Sequence, residues 1–114
     1  MIELLVVTTI IIVLTTIGLV SYRSASVNAR NGKRKADMES VRQALVLYRV
    51  DEGTYPIDSN FNSMVSTISN YISAVEVSDP IGGDYYYSYT SNGATFTLTA
   101  LLEPDQEVYT LTNP

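Results

Sequence analysis

Residues 1–22 read MIELLVVTTIIIVLTTIGLVSY, and this stretch decides how the rest of the chain is organised. The run from Leu4 to Val20 carries no charge and consists mainly of Leu, Val and Ile. As a helix it would be about 25 Å long at roughly 1.5 Å per residue, slightly less than the ~30 Å hydrocarbon core of a bilayer. The stretch is therefore predicted to be an apolar helix that spans a membrane with help from its flanks.

Glu3 lies at the start of this apolar run, where no cation of the same segment is within reach. An ionisable group at the edge of an apolar span is costly, and it is usually there for a function. A cleaved secretory signal is disfavoured, because the segment has neither a basic start nor a small-residue cleavage site. An ordinary single-span anchor, with Glu3 as an interfacial acid, remains open.

The charges are segregated along the chain. Residues 1–22 carry only Glu3, residues 23–49 hold seven cations against two acids, and residues 50–114 hold nine acids and no base, so the three parts carry −1, +5 and −9. Such a basic neck and acidic head can attract copies of the same molecule, and the acidic head disfavours nucleic acid as a partner. The neck cations are interpreted as the solvated or neighbour-paired face of a helix.

Cysteine and histidine are both absent from the sequence. The chain therefore lacks thiolate nucleophiles, imidazole bases and the usual zinc ligands, which argues against an enzyme. No cofactor and no metal are expected. Glu103, Asp105 and Glu107 alternate but match no calcium loop, so they are expected to form a solvated turn. Asp79 and Asp84 flank a Gly-Gly turn and are a weaker metal candidate.

The helix is predicted to continue past Tyr22 to about residue 52, where Gly53 and Pro56 end it. Its second half carries an apolar stripe at helical spacing that needs a cover. The stripe consists of Met38, Val41, Leu45 and Tyr48, widened by Ala44 and Leu47.

The rest of the chain reads as a short helix and a sheet. The helix is predicted at Asn60–Ser73, capped by Ser59 or Asn60, within a connecting region 53–84. Alternating residues and turn signals predict a sheet region 85–112 with Ser91-Asn92-Gly93 as a hairpin turn. The strands are expected at Tyr85–Thr90, Ala94–Leu101 (Ala94, Phe96, Leu98 and Ala100 inward) and Glu107–Thr112. Tyr85, Tyr86, Tyr87 and Tyr89 are assigned to sheet packing rather than ligand stacking. The fold class is α+β: a long amino-terminal helix on a small antiparallel three-stranded sheet.

Two stretches resemble the type IV pilin and type II secretion pseudopilin family. Residues 2–6, Ile-Glu-Leu-Leu-Val, follow the family's mature amino terminus, and KRKADMESVRQALVLYRVDEGTYP, residues 33–56, resembles its first helix end. The family's Phe and Ser/Thr have no counterpart before Met1, so we expect the sequence to begin at an internal start; the alternative is an amino terminus that differs from the family's.

The resemblance implies a pilin-like subunit. Residues 1–22 would be the membrane-spanning or filament-core half of the helix, and residues 23–114 the head, with amphipathic helix 23–52. Glu3 would pair with the amino-terminal amine of a neighbouring subunit. Many pilins have a proline in the region that matches Thr15 to Tyr22, and Gly18 in this region would be a candidate for local unwinding. Partners would be identical subunits, the inner membrane before assembly, a prepilin peptidase and an assembly machine.

The implied function is that of a major pilin in an extracellular type IV pilus, reached through a single-pass intermediate in the inner membrane. The alternatives are the major pseudopilin of a type II secretion system and a monomeric membrane-anchored binding domain. Cations after the span would place the head in the cytoplasm by the positive-inside tendency, whereas the resemblance places it outside.

Overall fold

A computed structural model of the chain describes residues 1–73 and 77–114, so part of the predicted region 53–84 lies outside the described residues. The molecule measures 76 × 25 × 23 Å along its principal axes, because one long helix projects from a small head. The described residues form helices α1 (Ile2–Glu52) and α2 (Phe61–Thr67) and strands β1 (Tyr87–Ser91), β2 (Phe96–Leu102) and β3 (Glu107–Thr112).

Helix α1 is unbroken over 51 residues, which confirms that the apolar and amphipathic halves form one element. It ends at Gly53, whose φ of 84° lies in the left-handed region and whose N–H donates to the Arg49 carbonyl at 2.7 Å. Glycine adopts this conformation without a steric penalty, so the sequence itself specifies where the helix ends.

The sheet is an antiparallel meander in the order β1-β2-β3, and the predicted α+β architecture is confirmed. The third strand has its predicted bounds. The first two begin two residues later than predicted, because Tyr85 and Tyr86 precede β1 and Ala94 belongs to the hairpin turn. The Asn92 side-chain oxygen accepts from the N–H groups of Ala94 and Thr95, which keeps Ala94 exposed rather than inward.

The core lies between the second half of α1, α2 and one face of the sheet. Met38, Val41 and Leu45 are fully buried, as the stripe predicted, but Leu47 is 52% exposed. Leu47 lies about 200° around the helix from Leu45, so it faces away from the sheet. The sheet and α2 complete the core with Tyr55, Phe61, Met64, Ile68, Tyr87, Tyr89, Phe96, Leu98 and Ala100.

Helix α2 is half as long as predicted. Asn60 caps it as expected, since its side chain accepts from the Ser63 N–H. After Thr67 the chain tightens into turns, with Tyr71 N–H donating to the Ile68 carbonyl three residues earlier at 2.9 Å. Ser69 and Asn70 are poor helix formers, which explains the early end. Ile68 still reaches the core, and Tyr71 and Ile72 are partly buried against it.

Leu45→Ala tests whether α1 and the sheet stabilise each other. We expect the free energy of unfolding to fall by about 2–5 kcal/mol, because the change removes a buried side chain and leaves a cavity. Denaturant unfolding of the full chain in detergent measures it. Leu47→Ala, the same change two residues away on the exposed face, should cost less than about 1 kcal/mol. Equal losses in the two variants would contradict this packing.

Candidate functional site

The first half of α1 protrudes from the head, and none of residues 23–73 and 77–114 covers it. Every Ile, Leu and Val side chain from Ile2 to Val20 is at least half exposed, from 50% for Val13 to 77% for Ile2. Monomers in water rarely expose a contiguous apolar patch of more than about 600 Å². An 18-residue window of α1 has a mean hydropathy of 2.6 and is entirely unburied, so the helix is long and apolar enough to cross a membrane. This segment requires lipid or other helices around it.

The threonines of this segment do not interrupt its apolar surface. The Thr9 and Thr15 hydroxyls donate at 2.7 Å to the carbonyls of Leu5 and Ile11, and the Thr16 hydroxyl donates to the Ile12 carbonyl at 2.8 Å. A hydroxyl bonded to its own helix needs no water partner. The threonine hydroxyls of the apolar half are therefore satisfied within the helix.

The two assembly residues predicted from the sequence lie at separate points of this half. Glu3 is exposed in the first turn of α1 and forms no ion pair within residues 1–73 and 77–114. Gly18 lies in regular helix, and a Cβ placed there would meet no atom within 4 Å. Both roles require neighbouring copies, so they stay predictions for the single chain.

A buried arginine fixes the head to the helix where the protruding half ends. The Arg34 side chain is fully buried and contacts two carboxylates. Its Nε and Nη2 donate to the two oxygens of Asp79 at 2.7 and 3.1 Å, and its Nη1 donates to Glu103 Oε2 at 2.8 Å. The Tyr85 ring lies 4.9 Å from the guanidinium. One side chain of α1 thus holds both the loop around Asp79 and the β2–β3 turn.

Arg30 and Asn31 complete this cluster, which we call the neck clamp (Arg30, Asn31, Arg34, Asp79 and Glu103). Arg30 contacts Glu103 through two hydrogen bonds, at 2.5 and 2.8 Å. The Asn31 side chain donates to the Glu103 carbonyl and accepts from the Glu103 N–H. The expected solvated turn is therefore wrong for Glu103, whose side chain is 9% exposed.

The sequence predicts that the neck cations form a solvated or neighbour-paired face of the helix, and two of them confirm local pairing. Lys33 pairs with Asp37 at 2.7 Å and Arg42 with Glu39 at 3.2 Å, each within one helical turn. Arg30 and Arg34 depart from this prediction, because the carboxylates that bind them are more than forty residues away. The sequence held one signal: seven cations in residues 23–49 face only two local acids, so some required distant partners.

The tyrosines contribute mainly to packing, as predicted. Tyr87 and Tyr89 are buried, whereas Tyr86 is 59% exposed. Burial and a hydrogen bond to Asp37 raise the pKa of Tyr87 far above its usual value.

A groove of about 480 Å³ is lined by residues that include Asn60, Asp79 and Tyr86. The Asp79 carboxylate in this groove is already bound to Arg34. Within residues 1–73 and 77–114, no three acidic side chains are grouped to hold a metal ion.

The neck clamp shifts the titration of its acids. Burial alone would raise the pKa of Asp79, but hydrogen bonds from Arg34 and from the Ile81 and Gly82 N–H groups outweigh it and lower the pKa. For Glu103, the hydrogen bond from Arg30 is the largest cause of a lowered pKa, with Arg34 adding to it against burial. Both carboxylates are therefore held ionised in the folded chain.

This arrangement predicts how stability depends on pH. A carboxyl with a lowered folded-state pKa adds stability above its unfolded pKa of about 4, and the gain is lost as the pH falls through the folded-state value. We expect the free energy of unfolding of the full chain in detergent to decrease between about pH 5 and pH 2. Glu103→Gln should be less stable at neutral pH and show a shallower decrease.

Glu107→Gln is the matched control, because Glu107 is exposed and forms no ion pair within the described part of the chain. It should keep the wild-type pH dependence. An unchanged dependence in Glu103→Gln would contradict the role given to the neck clamp.

The family model described as Type II secretion system (T2SS), protein G matches residues 22–108. No curated protein and no solved structure matches the chain significantly. The matched range covers the amphipathic half of α1, α2 and most of the sheet, and it begins where the exposed apolar half ends. Because the match spans more than half of the sequence, the chain belongs to the type II secretion protein G family, the family of the major pseudopilins.

Proposed function

We propose that this chain is the major structural subunit of a type II secretion pseudopilus, polymerising through the apolar half of α1. The observation that carries the proposal is the geometry of α1. The helix extends out of the head without a break, and the apolar side chains of its first half are exposed. The family match supports a secretion pseudopilin. Residues 1–22 are the core-forming part and residues 23–114 the head.

In this proposal the apolar half passes from the inner membrane into a bundle of identical helices. Lipid already shields the apolar surface, so burial from water does not drive the exchange. Packing between helices has to favour the bundle, and an assembly machine has to supply energy. The internally bonded threonines suit both environments, because neither offers water to their hydroxyls.

Glu3 provides register in the bundle. A buried charge left without its partner costs about 3–5 kcal/mol, so an axial offset that separates Glu3 from a neighbouring amino-terminal amine is disfavoured. The pair therefore specifies one offset between copies more than it adds net stability. The remaining partners follow from the family: a prepilin peptidase and the secretion machinery, with the head outside the inner membrane and no enzymatic role.

A type IV pilus is the second candidate, because residues 2–6 resemble both branches of the family. Deleting the gene in the native host separates the two. A pseudopilin deletion should retain secreted proteins in the periplasm and leave surface motility unchanged. Lost motility with normal secretion would favour the pilus, and neither defect would favour a monomeric membrane-anchored binding domain.

Glu3→Ala tests polymerisation through α1. Overexpressed filaments sheared from the native host and quantified by sedimentation should decrease at least about tenfold, because the partner amine is left buried and unpaired. Glu52→Ala, which removes an exposed acid at the other end of the same helix, should leave the yield near wild type. Wild-type yield in Glu3→Ala, at equal membrane levels, would contradict the proposal.

Gly18→Ala tests whether α1 unwinds locally during assembly. The change should favour the helix by about 1 kcal/mol, since alanine is the better helix former and the added Cβ meets no neighbour in the single chain. If unwinding at Gly18 is part of assembly, filament yield should fall while the amount in the membrane stays constant. Gly32→Ala, an equally open helical glycine beyond the apolar half, is the control. Equal yields of the two variants would exclude unwinding at Gly18.

A further inference from the structure

One face of α1 is free of charge over its whole length. It runs from Leu4 through Gly18, Ala29 and Ala36 to Leu47 in steps of three or four residues, and all of these positions are exposed. At about 100° per residue, this face lies opposite the side that packs on the sheet. All seven cations of the neck lie elsewhere on the helix. A neighbouring molecule can approach this face closely without meeting an ionic group.

A row of cations lies on the flank of α1 at the level of the head, about 110–150° around the helix from this face. Two of its members contact rings of their own chain: Lys35 Nζ lies 5.5 Å from the centre of the Tyr109 ring, and the Arg49 guanidinium lies 5.0 Å from that of Tyr55. Lys35, Arg42 and Arg49 are seven residues apart, so they project in nearly the same direction over about 21 Å. Arg42 forms one wall of a groove of about 350 Å³ on α1, whose other residues are Glu39, Gln43, Val46, Leu47 and Pro114. Its contact with Glu39 uses Nη2, so other guanidinium N–H groups can bind a second carboxylate.

Three carboxylates form an acidic patch at the end of the head that is nearest the apolar half of α1. Asp84 precedes β1, Asp105 lies in the β2–β3 turn and Glu107 begins β3, and all three are exposed. The Gln106 side chain donates to the Asp84 carbonyl at 3.1 Å, which holds the two loops side by side. No cation follows Arg49 in the sequence, so this patch has no basic neighbour along its own loops.

We propose that the acidic patch of one copy docks on the cation row of the next, with Arg42 in the groove as the central contact. The occupant is a second copy because the two surfaces are complementary in charge and belong to the same chain. The inference rests on the proposed polymerisation and adds the contact made by the heads.

The proposed contact also sets an axial shift between the copies. Glu103 binds Arg30 and Arg34 of its own chain. The acidic patch next to Glu103 is therefore held near the level of residues 30–34 of α1 in the same copy. Arg42 lies about ten residues further along the helix, which corresponds to about 15 Å. A copy displaced by about 15 Å toward the carboxyl end of α1 brings its acidic patch level with the row of its neighbour.

Charge reversal tests the contact in filaments of the full chain. Arg42→Glu and Glu107→Lys should each lower filament yield several-fold, and the double variant should recover most of it, because the pair is restored with opposite sign. Glu52→Lys, the same reversal at the far end of the head, should stay near wild type. A double variant no better than its singles, or an equal loss in Glu52→Lys, would overturn the proposal.

Cysteine cross-linking gives an independent readout, since the natural chain contains no cysteine. Gln43→Cys combined with Val108→Cys should give a ladder of covalent multimers when assembled filaments meet a short thiol cross-linker. Gln43→Cys combined with Asn62→Cys should give none. Filaments without a ladder in the first pair would overturn this contact and leave polymerisation intact. A wild-type chain that forms no filaments would overturn the proposed function and this contact with it.

Discussion

A single rigid helix has to satisfy two environments, and the rest of the structure follows from that constraint. In the second half of α1, Met38, Val41 and Leu45 are fully buried against the sheet. In the first half nothing covers the Ile, Leu and Val side chains. Because the helix is continuous, the head cannot fold back over its own apolar segment. Cover has to come from outside the chain, from lipid or from other helices, and this is the physical basis for proposing a polymerising subunit.

The neck clamp sits where these two environments meet. Arg34 is fully buried. The cost of removing a guanidinium from water is offset only when carboxylates bind it with good hydrogen-bond geometry. Such a cluster adds little net stability compared with a hydrophobic replacement, but it fixes one arrangement of its parts. Here it fixes the Asp79 loop and the β2–β3 turn on α1. The acidic patch beside that turn is thereby held at a defined level of the helix, as a contact between heads requires.

The long elements could be predicted from the sequence because their signals are local. Hydrophobic spacing identified the α1 stripe, Gly53 identified its end and alternation identified β3, all of which the structure confirms. The prediction for Leu47 is wrong because spacing of three to four residues does not distinguish the edge of a stripe from its centre. The predicted α2 is too long because its apolar residues remain on the core side after the helix ends.

The neck clamp could not be predicted in detail, because it joins residues that are distant in the sequence. The sequence predicts a solvated turn at Glu103 because the alternating acids Glu103, Asp105 and Glu107 match no calcium loop, and nothing local shows that Arg30 and Arg34 contact Glu103. The excess of cations in the neck indicated that distant partners were needed, but not which ones. Roles that require other copies, those of Glu3 and Gly18, likewise depend on an assembly that one chain does not contain.

The most direct test is a helical reconstruction of filaments purified from the native host. Our account predicts that residues 4–20 contact the same segment of neighbouring subunits along the filament axis. It also predicts that the Glu3 carboxylate lies within about 4 Å of a neighbouring amino-terminal amine. A filament in which residues 4–20 contact no other subunit, or in which Glu3 faces no amine, would contradict it.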